Sequence, residues 1–371
     1  MPVPHLPQPP IRLFLPFDRP GRRDSAIRTG LEPVKSDAGP RGGRCVELNR
    51  LRQPGDSIVK GAGKEEAVLT PSRPTIVRHE DPTAGLDDDK RVPRLRSVFR
   101  IERPVAVLGT GGYACAPAVW YASRRGIPTA LQEQNVAPGL ATRLLGRRVR
   151  HIYLGAPEAR PRLTLGPETQ VFDTGNPITP PDFSRREAAI RRFAVPPGQP
   201  VVLITGGSQG ALAINQAVAG WLEQGGGHAV TVLWATGKGS HERFARFHRA
   251  PSVQVFDFLD PLADAYSVSD LVVGRAGMMT GAELCAWGLP SVLIPLPTAA
   301  SDHQTTNAEA LAEAGAAVVL PQRDLTPTTF GQVVDRLLAD GSLRAQMAEA
   351  ARRRGKPAAA AEIVSHLLTL C

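Results

Sequence analysis

The sequence predicts an α/β chain made of two doubly wound halves facing a cleft. Three observations predict it. From about position 91 short apolar strands alternate with helices, glycine-rich or polar turns follow the strands, and a Pro/Arg-rich stretch at 177–200 breaks the rhythm once. Such alternation lays strands side by side in parallel with helices on both faces, and a single break yields two units with a crevice between them.

The elements follow in order. Positions 105–108 read as a buried strand ending at Gly109-Thr110-Gly111-Gly112, followed by a helix over 116–125 that Gly126-Ile127-Pro128 stops, and a second strand over 129–132. Further strands are expected at 201–204, 230–233, 253–256, 271–273 and 291–294, with helices at 211–222, 280–287, 305–314 and 326–339. Residues 1–90 offer no regular fold, since 12 prolines fall within the first 80 positions and the apolar runs at 11–15 and 75–77 are short. They suit either a loop-rich or disordered extension or an irregular piece of a folded domain.

At 371 residues, 42% hydrophobic and 21% charged, the chain has material for two domains and is not disordered throughout. The first hundred positions hold 19 of the 44 Lys and Arg and 13 of the 35 Asp and Glu, so +6 of the net +9 lies there. The rest is nearly balanced, and nucleic acid is not expected as a partner. Cys45, Cys115, Cys285 and Cys371 are scattered without a CxxC or Cys/His cluster, which points away from a disulfide framework and a zinc site, toward a reducing compartment. No apolar run reaches the roughly 18 residues of a spanning helix, and the proline-broken start lacks a signal-peptide layout.

The chemistry concentrates in turns after strands. Thr205-Gly206-Gly207-Ser208-Gln209-Gly210-Ala211 opens a helix, where glycines allow close backbone approach and free N–H groups can meet a pyrophosphate, or where Gly-Gly-Ser simply makes a tight turn. The segment from Gly274 and Arg275 through Met278, Met279, Thr280, Gly281 and Ala282 to Glu283 has the same design. Glu283 could accept from a ribose diol or be a solvated first-turn glutamate, and Arg275 could meet an anion or make a surface ion pair. His303, Gln304 and Asn307 offer neutral groups suited to sugar hydroxyls or to helix capping. On the N-terminal side, Gly111-Gly112-Tyr113 and Gln132-Glu133-Gln134-Asn135 lie just beyond strand ends, where ligands of open sheets gather. Together these loops favour a nucleotide diphosphate in an interdomain cleft.

The series Gly111-Gly112-Tyr113, Glu133-Gln134-Asn135 with Pro138-Gly139, Thr174-Gly175-Asn176-Pro177, Gly206 to Ala211 with Asn215, Arg275-Ala276-Gly277, Thr280 with Glu283, and His303-Gln304 with Asn307-Ala308 resembles the MurG-type transferases. These are undecaprenyldiphospho-muramoylpentapeptide β-N-acetylglucosaminyltransferases, and the match spans about 95–368. The resemblance implies a GT-B fold with two Rossmann-like domains, the N-terminal one incomplete or divergent. It divides the chain into an atypical segment at 1–90, the rest of an N-terminal acceptor and membrane-side domain at 91–180, and a C-terminal UDP-N-acetylglucosamine domain at 181–371. It also implies an inverting, metal-independent transfer of N-acetylglucosamine to the muramyl C4 hydroxyl of lipid I, giving lipid II for peptidoglycan at the cytoplasmic face of the membrane. No cofactor is implied.

Carried onto this sequence, the resemblance implies that Ser208 binds a donor phosphate, that Leu259 lies against uracil through its backbone, and that Arg275 and 278–283 hold phosphates and ribose, with Glu283 on the ribose hydroxyls. Gln304 would read the sugar, Asn135 would lie near donor sugar and acceptor, and Gly111, Gly112 and Tyr113 would face the acceptor. Three departures accompany it: no Gly-Gly-Thr-Gly-Gly-His loop occurs in residues 1–100, Thr179 replaces an expected Arg, and Gln132 an expected His. Glu133 is then the nearest carboxylate to serve as base. A UDP-sugar-binding remnant and a transferase for another lipid acceptor stay open as alternatives. An anionic membrane surface is the further implied partner, through Leu95, Val98, Phe99 and Ile101 fringed by Arg91, Arg94, Arg96, Arg100 and Arg103; the same helix could instead pack on the sheet.

Overall fold

Short, mostly apolar strands organise the described residues into two six-stranded sheets. The computed structural model describes residues 65–69, 75–78 and 88–371 except 208, 300 and 301, with side chains described from Leu95 onward. The first sheet contains β1 (Glu65–Leu69), β2 (Thr75–Arg78), β3 (Ala106–Gly109), β4 (Thr129–Glu133), β5 (His151–Leu154) and β6 (Gln170–Phe172), in the order β2-β1-β3-β4-β5-β6. Strands β3 to β6 are parallel, whereas β1 runs antiparallel to both β2 and β3, with Ala67 opposite Leu108. Two strands thus come from the first ninety residues, where the sequence offered no regular element. Because β1 is antiparallel, it brings its starting end beside the turn that follows β3.

The second sheet contains β7 (Val201–Thr205), β8 (Thr231–Ala235), β9 (Val253–Phe256), β10 (Leu271–Gly274), β11 (Ser291–Leu293) and β12 (Ala317–Val319). Its order, β12-β11-β10-β7-β8-β9, is parallel throughout. The chain builds outward from β7 through β8 to β9, then returns to lay β10 on the other side. The carboxyl ends of β7 and β10 therefore flank the topological switch point, the place where open α/β sheets bind ligands.

Helices cover both sheets. In chain order they are α1 (Asp88–Glu102), α2 (Ala116–Ser123), α3 (Leu140–Leu145), α4 (Arg186–Arg192), α5 (Leu212–Glu223), α6 (His241–Phe244), α7 (Leu262–Val268), α8 (Met278–Trp287), α9 (His303–Glu313), α10 (Pro327–Ala339), α11 (Gly341–Arg354) and α12 (Ala359–Leu368). The 177–200 stretch is not only a connection, since it forms α4 and buries Ala189 and Phe193 in the second core. Helix α1 takes the second of its two readings. Leu95 and Phe99 are buried with Val107 and Leu131 in the first core, so the apolar face of α1 packs on the sheet and only Ile101 of the proposed lipid-facing set is strongly exposed.

The last helix crosses back. Ile363 and Leu367 of α12 pack against Ala106, Leu108, Ala130 and Tyr153 of the first sheet, although the sequence groups 181–371 as one unit. Full burial of two such side chains is worth about 1.5–3 kcal/mol each. Beside them His366 stacks on Phe172 with ring centroids 4.0 Å apart, and His151 Nδ1 lies 3.1 Å from the Tyr153 hydroxyl. Burial first, then the nearby His366 and Arg150, hold the His151 imidazole below its ordinary value of 6.5. The unfolded chain therefore takes up a proton at His151 before the folded one does, and stability falls as pH drops below about 6.5 toward the lowered folded value. Melting temperature is expected to decline between pH 7.5 and 5.5, with a shallower decline in His151→Phe; equal slopes would contradict this role.

Candidate functional site

The turn after β7 is shaped by backbone contact. Gly210 and Gly237 both adopt the left-handed region, with φ +72° and +84°, and lie directly against each other. A Cβ on Gly210 would strike the Thr236 carbonyl, so the turns after β7 and β8 can meet only as glycines. Asn215 of α5 secures the junction: its Nδ2 donates to the Thr236 carbonyl at 2.8 Å, and its Oδ1 accepts from Trp234 Nε1 at 3.0 Å. Ser208 lies outside the described residues.

Across the switch point, Gly277 precedes the first turn of α8, whose leading N–H groups have no partner within the helix. Met279, Thr280, Ala282 and Glu283 lie on the half-exposed side of that helix, while Met278 and Gly281 are buried. The Tyr266 hydroxyl donates to Glu283 Oε2 at 3.0 Å, orienting the carboxylate. Burial raises the Glu283 carboxyl above its ordinary value, and the Tyr266 hydrogen bond opposes that shift. Among the described residues Arg275 makes no ion pair. Its guanidinium donates to the carbonyls of Ile294 and Pro295 at 3.2 and 3.3 Å and to Gln322 Oε1 at 2.7 Å, and burial lowers its pKa. It therefore braces the turn after β11. Gln304 completes that turn by accepting the Leu296 N–H on Oε1 at 2.9 Å.

Strand β9 ends at Phe256, so Leu259 falls in the turn before α7, its side chain buried in the second core and its neighbour Phe258 exposed. Phe258 was not among the expected residues; an exposed ring one position from Leu259 is visible only once the strand end is known. Tyr266 was missed too, because its pairing with Glu283 joins two different helices.

On the N-terminal side Gln134 Nε2 donates to the Thr110 carbonyl at 3.4 Å, which links the Gly111-Gly112 turn and the exposed Tyr113 to the loop after β4. Glu133, the carboxylate expected to serve as base, is tied into its own loop by hydrogen bonds. It is buried, its Oε1 accepts the Asn135 N–H at 3.1 Å, and its Oε2 accepts the Gly139 N–H at 2.9 Å and the Thr142 hydroxyl at 2.6 Å. Both oxygens are committed to shaping the loop and capping α3, which suits a fixed carboxylate and not a proton shuttle. Gln132 donates to Asn176 Oδ1 at 2.8 Å while its own Oε1 is buried with no partner among the described residues, and Thr179 is exposed.

The two halves meet at this loop. Asn307 of α9 bonds Asn135 and the Val136 N–H, and Arg354 pairs with Glu158 at 2.8 Å. The structure thus brings Asn135 against the second half beside the start of α8, while Gly111, Gly112 and Tyr113 stay with the first half. Among the described residues no group of three or more His, Cys, Asp or Glu side chains is arranged to hold a metal.

Comparison with known proteins places this geometry. Residues 201–363 match the glycosyltransferase family 28 C-terminal domain, and residues 81–154 match the corresponding N-terminal domain. A Chlorobaculum tepidum protein named UDP-N-acetylglucosamine-N-acetylmuramyl-(pentapeptide) pyrophosphoryl-undecaprenol N-acetylglucosamine transferase is 38% identical over 285 residues, covering 76% of this chain and 78% of its own. A Salinibacter ruber protein of the same name is 40% identical over 281 residues, covering 74% of each chain. Among solved structures, Acinetobacter baumannii MurG superimposes with a TM-score of 0.62 at 28% identity, over 76% of this chain and 78% of that one. The Staphylococcus aureus MnaA-UDP co-structure, with a TM-score of 0.56 over 79% of this chain and 82% of that one at 16% identity, shares the fold.

Proposed function

The chain belongs to glycosyltransferase family 28 as a MurG-type UDP-N-acetylglucosamine hexosyltransferase, which converts lipid I to lipid II in peptidoglycan synthesis, and we propose how its cleft carries that transfer. UDP-N-acetylglucosamine lies across the β7/β10 switch point. The turn after β7, with Ser208, and the first turn of α8 face the pyrophosphate, Glu283 takes the ribose hydroxyls, and the backbone at Leu259 meets uracil beside the exposed Phe258. Gln304 and Asn135 approach the sugar from opposite halves. The muramyl C4 hydroxyl attacks the anomeric carbon and displaces UDP with inversion; the charge gathering on the departing pyrophosphate is met by loop amides and the positive end of α8. A base other than Glu133 takes the hydroxyl proton. The single observation that carries this reading is the oriented Glu283 carboxylate beside a bare helix N-terminus at the switch point. Calorimetric titration with UDP and with UDP-N-acetylglucosamine tests the donor half, and absence of binding to either would overturn it.

The lipid-carried acceptor calls for a membrane-facing surface. Tyr113, Trp120, Leu140 and Leu144 are exposed on adjoining elements of the first half, among the exposed Arg124, Arg143, Arg147 and Arg148, with Arg124 over the Trp120 ring at 5.7 Å. No described helix is long and apolar enough to cross a membrane. We propose that this face, and not α1, rests on anionic lipid at the cytoplasmic face of the membrane, each basic residue adding about 1 kcal/mol. The double substitution Leu140→Ser with Leu144→Ser is expected to weaken binding to vesicles of anionic phospholipid at least about tenfold, as loss of two partly inserted leucines should. Unchanged vesicle binding would contradict the assignment. Nucleic acid has no place in this reading.

A further inference from the structure

We infer that Asn307 is a positioning residue that locks the first half against the donor site and sets the carboxamide of Asn135; the inference rests on the donor-side assignment of Asn135 and α8 made above. The loop after β4 reaches across the cleft as a finger. Its Val136 side chain fills a small apolar contact with Ala156, Met278 and Ala310, so the finger meets the first residue of α8. Asn307 is 1% exposed and uses both ends of its carboxamide on that finger. Its Oδ1 accepts the Val136 N–H at 3.1 Å, and its Nδ2 donates to Asn135 Oδ1 at 3.2 Å. With Oδ1 engaged, Asn135 presents Nδ2 as the end available to a ligand.

The far side of the finger is held by the first half. Glu133 accepts the Asn135 and Gly139 N–H groups, and Asn176 Nδ2 donates to the Gln134 carbonyl at 3.1 Å. The finger is thus rigid where it leaves its own sheet, and Asn307 is its polar contact from the other. The bonded groups lie 171 and 172 positions apart and belong to different halves, so these bonds form only when the cleft is closed. When it opens, water takes both partners. A side chain that cannot pair therefore penalises the closed state alone, by burying the Val136 N–H without an acceptor, and shifts the population toward the open one.

The inference makes Asn307 matter for turnover and not for nucleotide affinity. In the full chain, Asn307→Ala is expected to leave UDP affinity within about twofold, because the UDP contacts belong to the second half. Acceptor-dependent UDP release should fall at least about tenfold in kcat, the size of one lost buried hydrogen bond, with a smaller change in KM for the donor. Amide hydrogen exchange at Val136 should accelerate in the same protein. Asn307→Asp, nearly isosteric, keeps an acceptor for the Val136 N–H but sets a carboxylate against Asn135 Oδ1. It should retain protection at Val136 and still lose turnover. Wild-type kcat in either variant, or unchanged Val136 exchange in Asn307→Ala, would overturn the inference. If the wild-type chain binds UDP but transfers nothing, the transfer assignment fails on its own, and Val136 exchange still decides whether the tie exists.

Discussion

Replacing Glu133 by Ala is expected to destabilise the protein by about 1–3 kcal/mol, because one buried donor and two partly buried ones lose their acceptor and an orphaned buried group costs about that much. Those donors are the Asn135 and Gly139 N–H groups and the Thr142 hydroxyl. Thermal denaturation measures the effect. Glu133→Gln separates structure from catalysis. It retains one carbonyl acceptor and should keep transfer near the wild-type level with an unaltered pH–rate profile, at some cost in melting temperature. A Glu133→Gln protein that melts like wild type but has lost turnover would restore the carboxylate as the base.

Glu283→Ala is expected to weaken UDP binding by about 1.5–3 kcal/mol, the range of a hydrogen bond to a charged group, which calorimetry reads as roughly a 10- to 150-fold rise in Kd. Tyr266→Phe should weaken it less, since the carboxylate remains but loses the hydroxyl that orients it at 3.0 Å. Affinity should also depend on pH. Burial raises the Glu283 carboxyl above its ordinary 4.5, so the accepting, ionised form is lost as pH falls through that raised value, before an exposed glutamate would protonate. An unchanged Kd in Glu283→Ala would remove the ribose assignment.

The donor half was legible because its signals are local. Strands β7, β8, β10 and β11 are short apolar runs with a glycine or proline at their end or within two residues of it, and the glycine turn and the start of α8 each lie within a few residues of a strand end, with Glu283 on the same helix. Their convergence follows from parallel order and the return to β10, which the alternation of strands and helices already implied. What stayed hidden depends on distant partners. Tyr266 reaches Glu283 from another helix, α12 closes on the first sheet through Ile363 and Leu367, and Asn307 meets a loop from the other half. Glu133 misled for a different reason. A carboxylate just past a strand end has the address of a catalytic group, and only the fold of the following loop onto α3 shows it sequestered. Helix α1 misled by composition, because arginines interleaved with apolar residues describe an interfacial helix and an ordinary amphipathic one equally well; burial of Leu95 and Phe99 decides for packing on the sheet.

The changed N-terminal edge bears most on catalysis. Where the resemblance leads one to expect a strand ending in a glycine-rich acceptor loop, β1 enters antiparallel beside β3, and the Gly111-Gly112 turn stands without a glycine-rich neighbour among the described residues. In the proposed reading, acceptor binding then rests on that turn, on the finger that carries Asn135, and on the helices proposed to face lipid. The decisive measurement is UDP release from UDP-N-acetylglucosamine by the purified chain, with and without a lipid I analogue. Release that requires the analogue, with N-acetylglucosamine appearing on it in equal amount, is the predicted result; UDP binding without acceptor-dependent release would contradict the transfer.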